Sequence, residues 1–77
     1  MGHYFFDTSD GDELLVDEEG LDLDSTAAVR MAHRALFELA SEGVSYSGPP
    51  KTYSVTVRDN DQHVIYEANL VFSGTEF

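Results

Sequence analysis

The strongest alternation of apolar and polar residues lies late in the chain. Tyr53, Val55 and Val57 interleave with Ser54, Thr56 and Arg58, which predicts a half-buried strand over residues 52–58. Asp59, Asn60, Asp61 and Gln62 then turn the chain. A last strand is expected over residues 63–72, with Val64, Tyr66, Ala68, Leu70 and Phe72 on one side. His63, Ile65, Glu67, Asn69 and Val71 take the other side. Upstream the period changes to that of a helix. At 100° per residue, Ala28, Val29, Ala32, Ala35, Leu36, Leu39 and Ala40 share one face. Arg30, Arg34, Phe37, Glu38 and Ser41 share the opposite one. Asp24 or Ser25 can cap the N-terminus, the helix should run to about Glu42, and Gly43 suits a left-handed C-terminal cap. The segment 44–51 reads as a loop, because Gly48, Pro49 and Pro50 disfavour regular structure. At the front, His3, Tyr4, Phe5, Phe6 and Asp7 favour a strand. Thr8, Ser9, Asp10 and Gly11 form a turn, and residues 12–17 return as the second arm of a hairpin before Glu18, Glu19 and Gly20 break it.

The resulting order is ββαββ, a two-layer α+β domain with a four-stranded antiparallel sheet and one helix on one face. The helix reverses the chain between the second and third strands and leaves those two parallel. A spatial order 2-1-3-4 makes every neighbouring pair antiparallel and is the expected one. The second face of the sheet is left open.

Seventy-seven residues, 42% of them hydrophobic, are consistent with a single domain spanning residues 1–77 and a modest core. There is no cysteine, so neither a disulfide nor a thiolate metal site is available. No stretch approaches the length of a membrane span. The opening Met1, Gly2, His3, Tyr4 lacks the basic and apolar blocks of a signal peptide, and Phe6 stands where a myristoylation signal needs a hydroxyl residue. A cytoplasmic protein is expected. Charge changes the picture most. Fifteen carboxylates face four lysines and arginines, giving a net charge of −11, and nine of the fifteen lie in residues 7–24. Such a surface repels phosphate backbones and anionic membranes and attracts basic proteins or cations.

Tyr4-Phe5-Phe6-Asp7, Asp10-Gly11 and Asp17-Glu18-Glu19-Gly20 resemble the opening of a family of short alphaproteobacterial proteins classed as a domain of unknown function. The resemblance continues through Ala27-Ala28 and Ala35-Leu36 and resumes at Val55-Thr56-Val57-Arg58-Asp59, so it spans nearly the whole chain. It departs at His3, where members often carry Arg, and near Gln62, where they often carry Gly. It implies no activity.

The residues themselves offer little catalytic chemistry. Asp7, Asp10, Asp12 and Asp17 around Gly11 do not fit a calcium loop, because Phe6 would fall at the first ligand position. His3, His33 and His63 lack the paired spacing of zinc ligands. Gly43-Val44-Ser45-Tyr46-Ser47 misses the nucleophile-elbow pattern at its last position, and no glycine-rich phosphate loop occurs. No enzyme activity, metal or cofactor is therefore expected.

Interaction surfaces are better supported. Arg30, His33, Arg34 and Phe37 share the outer part of the helix, and Arg and Phe are enriched at the centres of interfaces. An Arg34–Glu38 pair, four residues apart, is the alternative use of that face. Ile65 and Val71 flank Glu67 and Asn69 on the open sheet face and suggest a partner contact there. The leading expectation is a non-catalytic acidic interaction module that binds a basic partner surface and forms a homodimer through its last strand. An inhibitor that mimics nucleic acid, and a small-ligand carrier or enzyme accessory, are the alternatives.

Overall fold

The computed structural model describes residues 1–42 and 48–77. Strand β1 (Gly2–Ser9) is followed by β2 (Leu14–Leu15), β3 (Leu21–Leu23), helix α1 (Ser25–Ser41), β4 (Gly48–Arg58) and β5 (Val64–Gly74). One antiparallel sheet runs β2-β1-β4-β5, with β3 also paired to β1. Among the described residues, the α+β class and the single helix match the sequence pattern. The expected second strand is instead divided into β2 and β3.

That division has a local cause. Leu14 and Leu15 pair with Ser9 and Thr8, whereas Leu21, Asp22 and Leu23 pair with Tyr4, His3 and Gly2. Between the two pieces, Asp17 takes the place of a ladder partner: its side chain accepts the Phe6 N–H at 3.1 Å. The chain then loops outward through Glu18 and Glu19 and returns at Gly20, whose φ is +69°.

The third strand begins earlier than expected, because Gly48, Pro49 and Pro50 belong to β4. The register shifts between Gly48 and Lys51, so one extra β4 residue is taken up where the prolines lie. Proline is tolerated at such a bulge because no ladder bond needs its missing N–H. β1 pairs only with Ser54 to Arg58, so this end of β4 has β5 alone beside it.

Of the two expected caps, Asp24 is the N-cap: its side chain accepts the Ala27 N–H at 2.7 Å. The expected Gly43 cap and the near-elbow at residues 43–47 lie outside the described residues. Ala28, Ala32, Leu36 and Ala40 are buried against Tyr53, Val55 and Val57, and Val55 and Val57 are fully buried. Alanine at two of the deepest helix positions lets α1 lie close to β4. Tyr4 and Phe6 of β1 and Tyr66, Ala68, Leu70 and Phe72 of β5 complete this layer. The register places His3, Phe5 and Asp7 beside Arg58 and Thr56 on the opposite, open face, with Glu67 and Asn69 beyond them.

Candidate functional site

Arg58 organises one end of the open face. Its Nε donates to Asp7 Oδ2 at 2.6 Å and its second terminal nitrogen to Asp7 Oδ1 at 3.0 Å, a bidentate pair. The guanidinium also donates to the Asp17 carbonyl at 3.0 Å and to the Gln62 side-chain oxygen, and it lies 4.9 Å from the centre of the Phe5 ring. The pair is largely covered, with 16% and 12% of the two side chains exposed. Hydrogen bonding to Arg58 holds the Asp7 carboxyl below its usual range, and Asp7 in turn holds the Arg58 pKa up. For Asp17, burial is the largest influence and opposes its charge. The N–H groups of Gly20, Phe6 and Glu19, aided by Arg58, outweigh it and keep the carboxyl below 3.8.

At the outer end of this group, His3 Nδ1 lies 2.6 Å from Asp22 Oδ1 and Nε2 lies 2.7 Å from the Glu19 carbonyl. Both ring nitrogens face acceptors, so the doubly protonated imidazolium satisfies both and neutral His3 satisfies one. Asp22 first, then the Glu19 carbonyl, raises the His3 pKa above 6.5. These contacts bring together Phe5, Asp7, Asp17, Gln62 and Arg58. Sequence reasoning missed this group, although the alternation did place Arg58 on the polar side of its strand.

The return segment forms a second feature. Asp10 Oδ1 accepts the N–H groups of Asp12 and Glu13, both at 2.9 Å, and Ser9 Oγ accepts the Gly11 N–H at 3.1 Å. The Glu13 and Asp12 N–H groups hold the Asp10 carboxyl below its usual range. This tight turn leads into Leu14, Leu15 and Val16, which are 65%, 63% and 56% exposed. Asp12 and Glu13 precede that apolar run, and Glu18 and Glu19 follow it, all four exposed. The segment lies at the β2 end of the sheet order, so an apolar strip with acidic flanks occupies that edge.

Arg30, Arg34 and Phe37 are exposed on the outer surface of α1. The expected Arg34–Glu38 pair does not form within 4.0 Å. His33, exposed as well, meets β5: its Nε2 lies 2.7 Å from the Tyr66 hydroxyl, with the rings edge-on. Ile65 and Val71 are exposed, at 42% and 64%. Asp7, Asp10 and Asp17, considered together as calcium ligands, point to separate tasks in the backbone and the Arg58 pair.

Asp59, Asp61 and His63 have ligand atoms within 4.8 Å of one another in the β4–β5 turn. This local spacing of a histidine with acids was not recognised from sequence. Asp59 Oδ1 accepts the N–H groups of Asp61 and His63, both at 2.9 Å, so the arrangement is already explained by the turn. Among the described residues, no helix is long and apolar enough to cross a membrane.

A family model described as Domain of unknown function (DUF6894) matches residues 3–71. No curated protein and no solved structure matches the chain.

Proposed function

We propose that this chain, which belongs to the family described as Domain of unknown function (DUF6894), is a non-catalytic module that docks its acidic return segment on a basic protein surface. The observation that carries this reading is the exposure of Leu14, Leu15 and Val16 between two acidic flanks. Three consecutive exposed apolar residues are unusual on a surface with a net charge of −11. The acidic flanks would steer a basic partner, and the apolar strip would supply contact area once it arrived. Because the strip follows a strand at a sheet edge, an extended segment of the partner could add to it by backbone pairing. On this reading the protein works in the cytoplasm without metal or cofactor.

The test is a crosslinked capture from native lysate using three versions of the protein. One is unmodified, one carries Glu13→Gln, Glu18→Gln and Glu19→Gln with Leu15→Ser, and one carries Arg30→Glu with Arg34→Glu. The proposal expects a partner that the unmodified and helix-substituted proteins retain, that crosslinks through a lysine- or arginine-rich segment, and that the edge-substituted protein loses. A partner lost only on substituting Arg30 and Arg34 would move the site to the helix and sink the proposal. A partner displaced by DNA at its own nucleic-acid site would favour the mimic reading.

A further inference from the structure

The other end of the sheet has the opposite character. β5 is the terminal strand of the order β2-β1-β4-β5, so one of its backbone edges faces away from the sheet. It runs from Val64 to Gly74 without proline or lysine, and Glu67 is its only charged residue. Nine of the fifteen carboxylates lie in residues 7–24, on or beside the strands farthest from β5. The protein's charge therefore opposes self-association most strongly at the β2 end; β5 itself carries only Glu67, with Asp59 and Asp61 in the turn before it and Glu76 after it. Long, flat edges are normally blunted by charge, proline or a bulge. The blunting device here is a bulge that leaves Ile65 unmatched between the pairs Val57–Tyr66 and Arg58–Val64. Tyr66 to Phe72 are regular.

We infer that β5 pairs antiparallel with β5 of a second copy across a two-fold axis at Ala68, joining the two sheets into one. The register follows from self-complementarity. Centring the axis at Ala68 sets Glu67 opposite Asn69 of the second copy and Tyr66 opposite Leu70, within the regular part of the strand. Centring it at Glu67 would oppose two like charges, and centring it at Asn69 would set Glu67 against Val71; both are worse pairs. The helix adds to the contact. His33 of α1 meets Tyr66 of β5, and Phe37, one turn later, lies farther out on the exposed surface of the helix. Phe37 is 63% exposed in the single copy. Pairing would also give the outer edge of β5 from Tyr66 to Leu70 backbone partners, where the described residues place no further strand. The inference is independent of the docking proposal, which concerns the opposite edge. If both hold, the joined sheet carries two acidic strips roughly 34 Å apart, at about 4.8 Å per strand.

Sedimentation velocity of the unmodified chain, from low micromolar to about 0.5 mM, tests association directly. The expected result is a mass rising to twice the 8.5 kDa of one chain. A single 8.5 kDa species throughout overturns the inference. Phe37→Ala, at an exposed position, should weaken the dimer while leaving the circular dichroism unchanged. Two substitutions at one exposed site then test the register. Asn69→Lys sets a lysine opposite Glu67 of the other copy and should tighten the dimer about threefold or more, and Asn69→Glu should weaken it by a similar factor. Equal effects of the two substitutions, or the reverse order, overturn the proposed register and with it the two-fold at Ala68.

Discussion

Arg58 and Gln62 illustrate how much a single side chain must do in a domain with a small core. Arg58 links β4 to β1 through Asp7, to the return loop through the Asp17 carbonyl and to its own turn through Gln62. Arg58→Ala leaves the largely covered Asp7 carboxylate without its cation, so it should lower the melting temperature by on the order of 5 °C. Arg58→Lys should recover only part of that loss, since an ammonium cannot make the bidentate contact. Gln62 has φ +69° and is the only non-glycine residue with positive φ among the described residues. Glycine is the residue such a backbone favours. Gln62→Gly relieves strain but loses the Arg58 contact, whereas Gln62→Ala loses the contact and keeps the strain. Thermal melts should therefore rank Gly above Ala by about 1 kcal/mol. The ionisable residues set the pH response. Asp7, Asp10, Asp17 and Asp59 have pKa values below 3.8 in the folded protein, so their stabilisation is complete above 3.8 and lost as pH falls through the folded values. His3 has the opposite sign. Its raised pKa makes its contribution complete below 6.5 and lost as pH rises through the folded value. An NMR titration of the imidazole should find the His3 pKa above 6.5, and Asp22→Asn should bring it down. An unchanged titration in that variant would remove Asp22 as the cause.

At the scale of elements, the helix and the C-terminal hairpin were legible because their signals are local. Tyr53, Val55 and Val57 alternate within five residues and are buried, and Ala28, Ala32, Leu36 and Ala40 repeat every four and are buried. The return segment was less legible for a physical reason. Leu14, Leu15 and Val16 have the composition of a buried strand, but burial depends on what lies beyond them, and β2 is the end of the sheet. Hydrophobic period also gave no sign that the Asp17 side chain would replace a ladder partner and divide the strand. Pro49 and Pro50 have the composition of a loop, and the bulge that tolerates them is defined only by the partner strand. The Arg58–Asp7 pair joins residues 51 apart in the chain, beyond any local pattern. The loop that divides the return segment makes its own demand. A Cβ on Gly20 would lie 2.7 Å from the Tyr4 carbonyl oxygen and 2.6 Å from the His3 ring, at φ +69°. The Tyr4 oxygen belongs to a paired strand and cannot easily withdraw. Gly11 has φ +97°, but a Cβ there would meet its nearest neighbour, the Thr52 carbonyl oxygen, at 3.3 Å. Gly20→Ala should thus destabilise by roughly 2–4 kcal/mol and Gly11→Ala by less. Denaturant melts giving the two substitutions equal effects would mean that the return loop shifts to accommodate the methyl group.

For the whole molecule, the uneven distribution of charge makes salt a probe of three separate effects. A net charge of −11 on 77 residues works against the compact state, most strongly where residues 7–24 hold nine carboxylates. Salt screens this repulsion over about 10 Å at 0.1 M, whereas the Arg58–Asp7 pair, mostly covered by protein, is screened far less. The melting temperature should therefore rise from low salt to moderate sodium chloride. Reversing charge at two exposed acids of the return loop, Glu18→Lys with Glu19→Lys, should raise the low-salt melting temperature and flatten its salt dependence. The proposed contacts should respond in opposite directions. Pairing through β5 brings two negatively charged molecules together, so added salt should tighten it. Docking of the acidic strip on a basic surface depends on attraction, so the same salt should weaken it. Measuring melting temperature, dimer dissociation constant and partner retention across one sodium chloride series separates these effects. A melting temperature that falls with salt would show that attractive surface pairs outweigh the net repulsion. A dimer that weakens with salt would point to ion pairs at its seam, whereas β5 and its flanks carry only acids besides His63.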